Sequence, residues 1–110
     1  MKDIYDLLAE IKDRYPLYVG GKSIYQIESF LWGYLVAKKD FGLERTEQEK
    51  DFDYFHEWLQ KKLRAETNLS WSKLILFRSD NEIDAAKNFF NLLEEFINRD
   101  KTFDNKDINK

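Results

Sequence analysis

Apolar residues recur at steps of three and four along most of the sequence, which is the period of amphipathic α-helices. The first such run starts near the N-terminus and consists of Ile4, Leu7, Leu8, Ile11 and Tyr15. Pro16 follows at once, and a proline disfavours the helical conformation of the residue before it. The pattern therefore predicts a first helix that ends before Pro16.

The second run, "SIYQIESFLWGYLVAKK" at 23–39, is apolar on nearly every side. A helix of this kind is normally surrounded by other helices, so we expect it at the centre of the fold. Ser23 suits its N-cap and Gly42 its end. Gly33 lies inside the run and costs about 1 kcal/mol of helix stability relative to alanine. We therefore expect a neighbouring helix or an aromatic ring to lie close to Gly33.

The remaining runs begin at recognisable capping residues. Thr46 and Glu49 have the spacing of a capping box, and so have Ser79 and Glu82; an apolar helical stripe follows each pair. Between these two helices, "SWSKLILFR" starts at Ser70. Its period fits a helix or a buried strand, and the flanking helices favour a helix.

These runs predict an all-α protein, a compact bundle of four to five helices around the apolar helix at about 23–39. We expect residues 1–98 to form a single helical domain. Residues 99–110, "RDKTFDNKDINK", are polar and unpatterned, which predicts a flexible tail.

Composition supports a packed core and narrows the possible functions. Hydrophobic residues make up 43% of the 110-residue chain and aromatic residues 16%, cysteine is absent, and the net charge is −3. Neither nucleic acid nor an anionic membrane surface attracts an acidic protein, so we expect neither as a partner. No apolar run has the length of a transmembrane helix, and charges interrupt the first ten residues, so we expect neither a transmembrane helix nor a signal peptide.

The stretch "YPLYVGGKS" ends like a phosphate-binding P-loop. The full pattern is Gly-x-x-x-x-Gly-Lys-[Ser/Thr], and Pro16 occupies the position of the first glycine. Proline has no N–H to offer a phosphate, and the preceding segment is a predicted helix instead of a strand. We therefore interpret Gly20 and Gly21 as a chain reversal before the Ser23 cap. An anion beside Lys22 at this helix N-terminus remains an alternative.

No arrangement of residues predicts catalysis or metal binding. His56 is the single histidine, and no second histidine or glutamate lies at a helical ligand spacing from it. Glu94 and Glu95 are adjacent and project about 100° apart on a helix, so they do not converge as an acid–base pair. We expect no enzymatic activity, no cofactor and no metal.

Several segments resemble a group of small all-helical bacterial proteins. "YPLYVGGKSIYQIESFLWGYLVA" is similar to that group's Tyr-x-Gly, Lys-Ser-Ile/Leu and Phe-x-x-Gly-Tyr elements, although its opening lacks the group's Arg-Pro-Gly-Met-Tyr order. "FDYFHEWLQKKL" and "LSWSKLILFRSDNEIDAAKNFFNLLEEF" resemble the later helices. The residues that carry the resemblance are Tyr18, Gly20, Ser23, Gly33, Tyr34, Trp58, Trp71, Phe89 and Phe90.

The resemblance implies that many proteins of this kind are immunity partners of bacterial polymorphic or contact-dependent toxins, while others have no assigned role. The resemblance therefore implies a cytoplasmic immunity protein that binds and neutralises one cognate toxin domain. The alternative is a helical regulatory or assembly protein that acts as a homodimer. Both are non-catalytic binding functions, and the sequence leaves monomer and homodimer open.

Two sets of residues are candidates for partner binding. The run "ERTEQEKDFD" at 44–53 is acidic, and its candidate contacts are Glu44, Glu47, Glu49, Asp51, Asp53 and the following Tyr54. Such a surface could meet a basic toxin active site, whereas acids at a helix start are also typical of a solvated N-terminal turn. Tyr5, Tyr25, Tyr54 and Trp32 fall off the main core stripes and could form an aromatic contact patch.

Overall fold

The computed structural model describes residues 2–101. Within this range there are seven α-helices and one 3₁₀ turn, and no β-strand. The elements are α1 (Ile4–Ile11), the 3₁₀ turn (Lys12–Arg14), α2 (Tyr15–Val19), α3 (Ile24–Asp40), α4 (Glu47–Phe52), α5 (Phe55–Leu63), α6 (Trp71–Leu76) and α7 (Glu82–Ile97). The all-α prediction is confirmed, and the segment after Ser70 is a helix. The predicted tail at 102–110 lies outside the described residues.

The helices form a flat body that measures 42 × 39 × 23 Å. Its thickness is about two helix diameters, so the helices lie in two layers. Helix α7 packs against α3, α5 and α6, α2 packs against α3, and α1 packs against α4. One buried cluster joins apolar side chains from α1, α2, α3, α5, α6 and α7.

Helix α3 is not surrounded on all sides, contrary to the sequence prediction. Ile24, Ile27 and Leu31 are buried, but Trp32 is 70% exposed and Val36 is 40% exposed. In a body two helices thick, every helix keeps an outward side, and the outward side of α3 is apolar. Helix α7 carries the larger core face, with Ala85, Ala86, Phe89, Phe90, Leu93 and Phe96 buried.

Phe55 lies at the centre of an aromatic core. Its ring centroid lies 5.3 Å from Phe52, 5.3 Å from Phe96, 5.8 Å from Trp71 and 5.9 Å from Phe89. Edge-to-face and stacked pairs at these distances add to the free energy gained by burying the rings. This core joins α4, α5, α6 and α7.

Of the four predicted caps, Ser23 and Thr46 are confirmed, and Ser70 holds the N-cap position of α6 without a side-chain cap hydrogen bond. The cap of α7 is a different residue from the predicted Ser79. Ser23 and Thr46 begin α3 and α4 as complete capping boxes. Helix α7 begins instead at Asn81, whose side chain accepts from the backbone N–H groups of Ile83 and Asp84. The Ser79 hydroxyl donates to the carbonyl of Ile75 at 2.7 Å, so it provides a hydrogen bond to a carbonyl in the last turn of α6. The predicted box from Ser79 to Glu82 was wrong because Asn81 is a strong N-cap two residues later.

The first helix ends earlier than predicted, and Pro16 does not end it. Helix α1 stops at Ile11, the 3₁₀ turn follows, and Pro16 lies in the first turn of α2. A first helical turn leaves its N–H groups without intrahelical acceptors, so proline loses nothing there. Gly20 ends α2 with φ of +88°, a conformation that favours glycine.

Candidate functional site

An apolar groove of about 510 Å³ opens beside α3. Five apolar side chains line it: Leu31, Trp32, Leu35, Phe52 and Trp71. Ser29 and Glu28 complete the lining, and Glu28 is the one charged residue in it among the described residues. The groove has the size and the apolar lining of a site for a few large side chains or a small molecule.

Ring contacts fix the far wall of the groove. Phe52, the last residue of α4, stacks on Phe55 with a centroid distance of 5.3 Å and meets the edge of Trp71 at 6.5 Å. Trp71, the first residue of α6, stacks on the buried Phe89 at 4.8 Å. Because Phe52 and Trp71 both belong to the aromatic core, the packing of the helices holds this wall of the groove in place.

The outward side of α3 adjoins this groove. Ser29, Trp32, Gly33 and Val36 are exposed there, and we refer to these four residues as the α3 face. A Cβ atom built at Gly33 would have no neighbour within 4 Å. The expectation that a helix or ring lies against Gly33 was therefore wrong within the described chain, because Gly33 faces outward. Trp32 belongs to both the groove and the α3 face.

Two of the five predicted acidic contacts, Glu49 and Asp51, form ion pairs within the protein. The Glu49 carboxylate is 2.8 Å from the Lys38 ammonium, and both side chains are less than a tenth exposed. Glu49 also accepts from the backbone N–H of Thr46 in the capping box. The hydrogen bond to Glu49 raises the pKa of Lys38. Glu49 therefore joins α4 to α3 and is not on a partner surface.

Asp51 is the centre of a second internal network. Its carboxylate accepts from the Tyr5 hydroxyl at 2.5 Å and from two nitrogens of Arg99 at 2.7 and 3.2 Å. Burial alone would raise the pKa of Asp51, but the hydrogen bonds from Arg99 and Tyr5 outweigh it and lower the pKa. Burial, and then the bond to Asp51, raise the pKa of Tyr5. Arg99, assigned to the tail from sequence, is thus packed into the helical body.

The other three acidic candidates, Glu44, Glu47 and Asp53, are exposed. Glu47 is exposed, and Asp53 pairs with Arg45 at 2.7 Å in solvent. Five residues separate Glu47 from Phe52, so helix geometry turns the two side chains about 140° apart and Glu47 faces away from the groove. Glu44 is exposed in the loop before α4, and Tyr54 packs partly buried against the core.

The four aromatic candidates differ in exposure and do not form one contact patch. Tyr5, Tyr25 and Tyr54 are partly buried and pack against the core cluster. Trp32 alone of the four is largely exposed, at 70%.

The Gly-Gly-Lys-Ser corner is occupied by groups of the chain itself. The side-chain oxygen of Gln26 accepts from the Ser23 N–H, and the Gln26 amide donates to the Gly20 carbonyl. The Ser23 hydroxyl accepts from the Tyr25 N–H and donates to Glu82 at 2.6 Å. A Cβ at Gly21 would lie 2.1 Å from the Gln26 side chain. Gly21 therefore makes room for the capping glutamine, and the Glu82 carboxylate stands beside the cap.

His56 belongs to a packing contact. Its Nε2 lies 2.8 Å from the carbonyl oxygen of Leu69, which ties α5 to the loop before α6. In residues 2–101, no three histidine, aspartate or glutamate side chains come together as a metal site. No helix in the same range is long and apolar enough to cross a membrane.

Most of this site does not follow from the sequence pattern, although one feature of the pattern indicates it. Ser29, Trp32, Gly33 and Val36 have the spacing i, i+3, i+4 and i+7, which places them on one face of a helix. An unexplained glycine within such a face indicates that the face is not filled by the protein's own core. The groove itself depends on Phe52 and Trp71, which tertiary packing brings to α3.

The fold and the site together define an all-helical protein with one apolar groove beside an exposed helix face. Comparison with protein-family models, with curated proteins and with solved structures gives no match for this chain. Its function is therefore inferred from the geometry of the site and from the residues that carry the resemblance.

Proposed function

We propose that the protein is a cytoplasmic, non-catalytic protein-binding module that acts as an immunity protein and neutralises a cognate bacterial toxin. The observation that carries the binding role is the exposed α3 face with the adjoining groove. Trp32, exposed at 70%, stands between them. Exposed tryptophans beside preformed pockets are frequent anchors of protein interfaces.

The chemistry of the groove favours binding over catalysis. Its lining is five apolar side chains with a serine and a single carboxylate, Glu28. General acid–base or nucleophilic catalysis needs at least two convergent polar groups, one of which orients or activates the other. The two polar residues of this lining, Glu28 and Ser29, are neighbours on α3, so their side chains project about 100° apart and do not converge. A largely apolar lining suits the burial of a partner's side chains instead.

Two observations support a toxin as the partner. The resemblance described above is to proteins of the toxin-immunity group, and several of its residues lie in or beside the site, such as Gly33 and Trp71. Glu44, Glu47 and Asp53 are exposed acids on a chain of net charge −3. An acidic protein associates faster with a basic partner, such as a toxin that acts on nucleic acid.

The proposal is tested with the product of the neighbouring gene. The two proteins are co-expressed and co-purified, and growth of cells that express the neighbouring product is measured with and without this protein. We expect a 1:1 complex and protected growth. A neighbouring product that is harmless to the cell, or that does not co-purify, would contradict the proposal.

A matched pair of variants tests whether the groove carries the binding. Trp32 and Phe77 are both 70% exposed, and Phe77 lies at the end of α6, outside the groove lining. Trp32→Ala is expected to raise the dissociation constant at least about tenfold, as interface anchors do. Phe77→Ala should leave it unchanged. Equal losses in both variants would show that general surface hydrophobicity, and not the groove, drives the association.

The alternative function, a regulatory homodimer, uses the same exposed apolar residues. Trp32 and Phe41 are 70% and 78% exposed, and a second copy could cover them. Sedimentation tests this alternative, because a monomer mass that stays the same at every concentration would contradict a homodimer. A monomer that protects cells supports the immunity role.

A further inference from the structure

We infer that the α3 face receives one α-helix of the partner protein, which inserts a large apolar side chain between Ser29, Trp32, Gly33 and Val36 and places a lysine or arginine beside Glu28. This inference rests on the proposed function, because it describes how the partner would be held. It goes further by naming the structural element and the charge of the partner.

The spacing of the four exposed residues identifies the element. Residues i, i+3, i+4 and i+7 of a helix surround a diamond-shaped hole, and knobs-into-holes packing inserts one side chain of a facing helix into each hole. Ser29, Trp32, Gly33 and Val36 have this spacing, and all four are exposed. Strands and irregular loops do not present side chains at the matching period, so the occupant is a helix.

The residues of the hole select a large side chain. Ser29 and Gly33 form its floor, and nothing within 4 Å fills the space where a Gly33 Cβ would stand. The Trp32 ring and the Val36 side chain form raised apolar borders. Leucine, methionine or phenylalanine from the facing helix can therefore reach the α3 backbone, which brings the two helix axes to the short end of the usual 8–10 Å range.

Gly33 has no internal role that accounts for it. Its φ is not positive, so the backbone conformation does not require glycine. In the described chain, a Cβ atom at this position would have no neighbour within 4 Å. A mid-helix glycine nevertheless costs about 1 kcal/mol relative to alanine. Close approach of a partner helix is a physical reason for a glycine at a helical and exposed position.

The charge around the site selects a basic partner segment. Glu28 lies one helical turn before Trp32 and lines the groove. Among residues 2–101 no ion pair involves Glu28, whereas most other carboxylates near α3 and α4 are paired, such as Glu49 with Lys38 and Asp53 with Arg45. No basic residue lines the groove. A lysine or arginine one turn from the inserted apolar residue would meet Glu28, in the manner of the flanking charges of coiled coils.

The groove adds depth on one side of the hole. Leu35 and Phe52 lie beyond Trp32, in a space of about 510 Å³. A second apolar side chain, three or four residues from the first on the partner helix, can enter this space, since those positions share a face. The fitting segment is thus an amphipathic helix with two apolar anchors and a basic neighbour, as in helix-in-groove recognition.

The decisive variants alter Gly33. Gly33→Leu fills the hole without a clash inside the monomer, because the space is open, and it improves helix propensity. We expect the variant to be folded, to unfold at higher urea than the wild type, and to bind the neighbouring gene product at least about tenfold more weakly, as expected when an interface hot spot is blocked. Lys87→Leu, on the exposed side of α7, is the control for an added surface leucine and should bind normally.

Glu28 is tested by charge. Glu28→Gln should weaken binding about threefold to tenfold and flatten its dependence on salt, and Glu28→Lys should weaken it further. Glu95→Gln, an exposed acid on α7, is the matched control and should have no effect. Binding that is unchanged in Glu28→Lys would overturn the inferred basic neighbour.

The outcomes separate this inference from the proposed function. No complex between the wild-type protein and the neighbouring gene product contradicts both. A wild-type complex that Gly33→Leu and Glu28→Lys leave intact keeps the immunity role and overturns the docking of a helix on α3. A homodimer that Gly33→Leu dissociates would show that a second copy of this chain, and not a different protein, occupies the α3 face.

Discussion

At the scale of single residues, neighbouring acids of one short run have opposite roles. Glu49 is buried and Asp51 is partly buried, and their ion pairs and hydrogen bonds hold α4 against α3, α1 and Arg99. Asp53, two residues on, is exposed and pairs with Arg45 in solvent. In the sequence, all three acids belong to one acidic run that could form a surface. Their burial in the folded protein shows that Glu49 and Asp51 join helices, whereas Asp53 is exposed.

Asp51→Asn tests this separation. The change removes the carboxylate that accepts from two nitrogens of the Arg99 guanidinium, whose side chain is 5% exposed. We expect a loss of about 3 kcal/mol in the free energy of unfolding at pH 7, as for other broken buried pairs. Asp53→Asn is the control, and its solvated pair predicts a loss below about 1 kcal/mol. Urea unfolding of both variants gives the comparison.

The same network predicts a dependence on pH. The folded pKa of Asp51 is lower than its ordinary value of 3.8, so the unfolded chain binds the proton more tightly. The stabilisation is complete above pH 3.8 and is lost as the pH falls through the folded pKa. The difference in stability between the wild type and Asp51→Asn should therefore shrink in urea titrations below about pH 4. A constant difference from pH 7 to pH 2 would contradict the assignment.

Replacing Gly33 and Gly20 by alanine should change the free energy of unfolding in opposite directions. Gly33→Ala should raise the free energy of unfolding by about 1 kcal/mol, because alanine is the better helix former and the space is open. Gly20→Ala should lower it by about 1–2 kcal/mol, since φ of +88° strains any residue with a Cβ. Denaturant midpoints of the two variants measure both effects.

At the scale of helices, local chemistry made the starts of α3 and α4 readable from sequence. Ser23 and Thr46 each accept from a backbone N–H within three residues, and such contacts depend on the nearest neighbours alone. The start of α7 was misread, because Ser79 and Asn81 are both good caps. The Ser79 hydroxyl is engaged elsewhere in the folded protein, because it donates to the Ile75 carbonyl at the end of α6 and accepts from the Asn88 side chain. Asn81 is therefore the residue that caps α7.

Asn81→Ala should lower the free energy of unfolding by about 1 kcal/mol, because two N–H groups of the first turn of α7 lose their acceptor. Amide hydrogen exchange should show faster exchange at Ile83 and Asp84. Asn81→Asp retains the acceptor and should restore both values. If Ser79→Ala exposes those two amides and Asn81→Ala does not, the cap has been assigned to the wrong residue.

At the scale of the whole molecule, two layers of helices meet at an aromatic core. The body is 23 Å thick, about two helix diameters, so α3 and the other helices each keep one side exposed to solvent. Phe55, in α5, is 1% exposed and contacts rings from three other helices, α4, α6 and α7. The groove beside α3 is formed where this core reaches the surface, at Phe52 and Trp71.

Phe55→Ala tests whether this core holds the layers together. We expect a loss of about 3–5 kcal/mol, typical of a buried phenylalanine, and a weaker near-UV circular dichroism signal from Trp58 and Trp71. Phe41→Ala removes a ring that is 78% exposed and should change stability by less than about 0.5 kcal/mol. Similar small losses in both variants would place the stabilising core elsewhere.

The sequence by itself determined the fold class and the local features. The three- and four-residue period, the Ser23 and Thr46 caps and the turn glycines Gly20 and Gly42 follow from interactions between residues close in the chain. Tertiary structure alone decided which acids are buried, where α7 begins, and that α3 keeps an apolar outward side. Those outcomes depend on contacts such as Lys38 with Glu49 and Phe52 with Trp71, whose partners are brought together only when the helices pack. The candidate site belongs to this second group, because a groove is formed by the space between helices and not by any one of them.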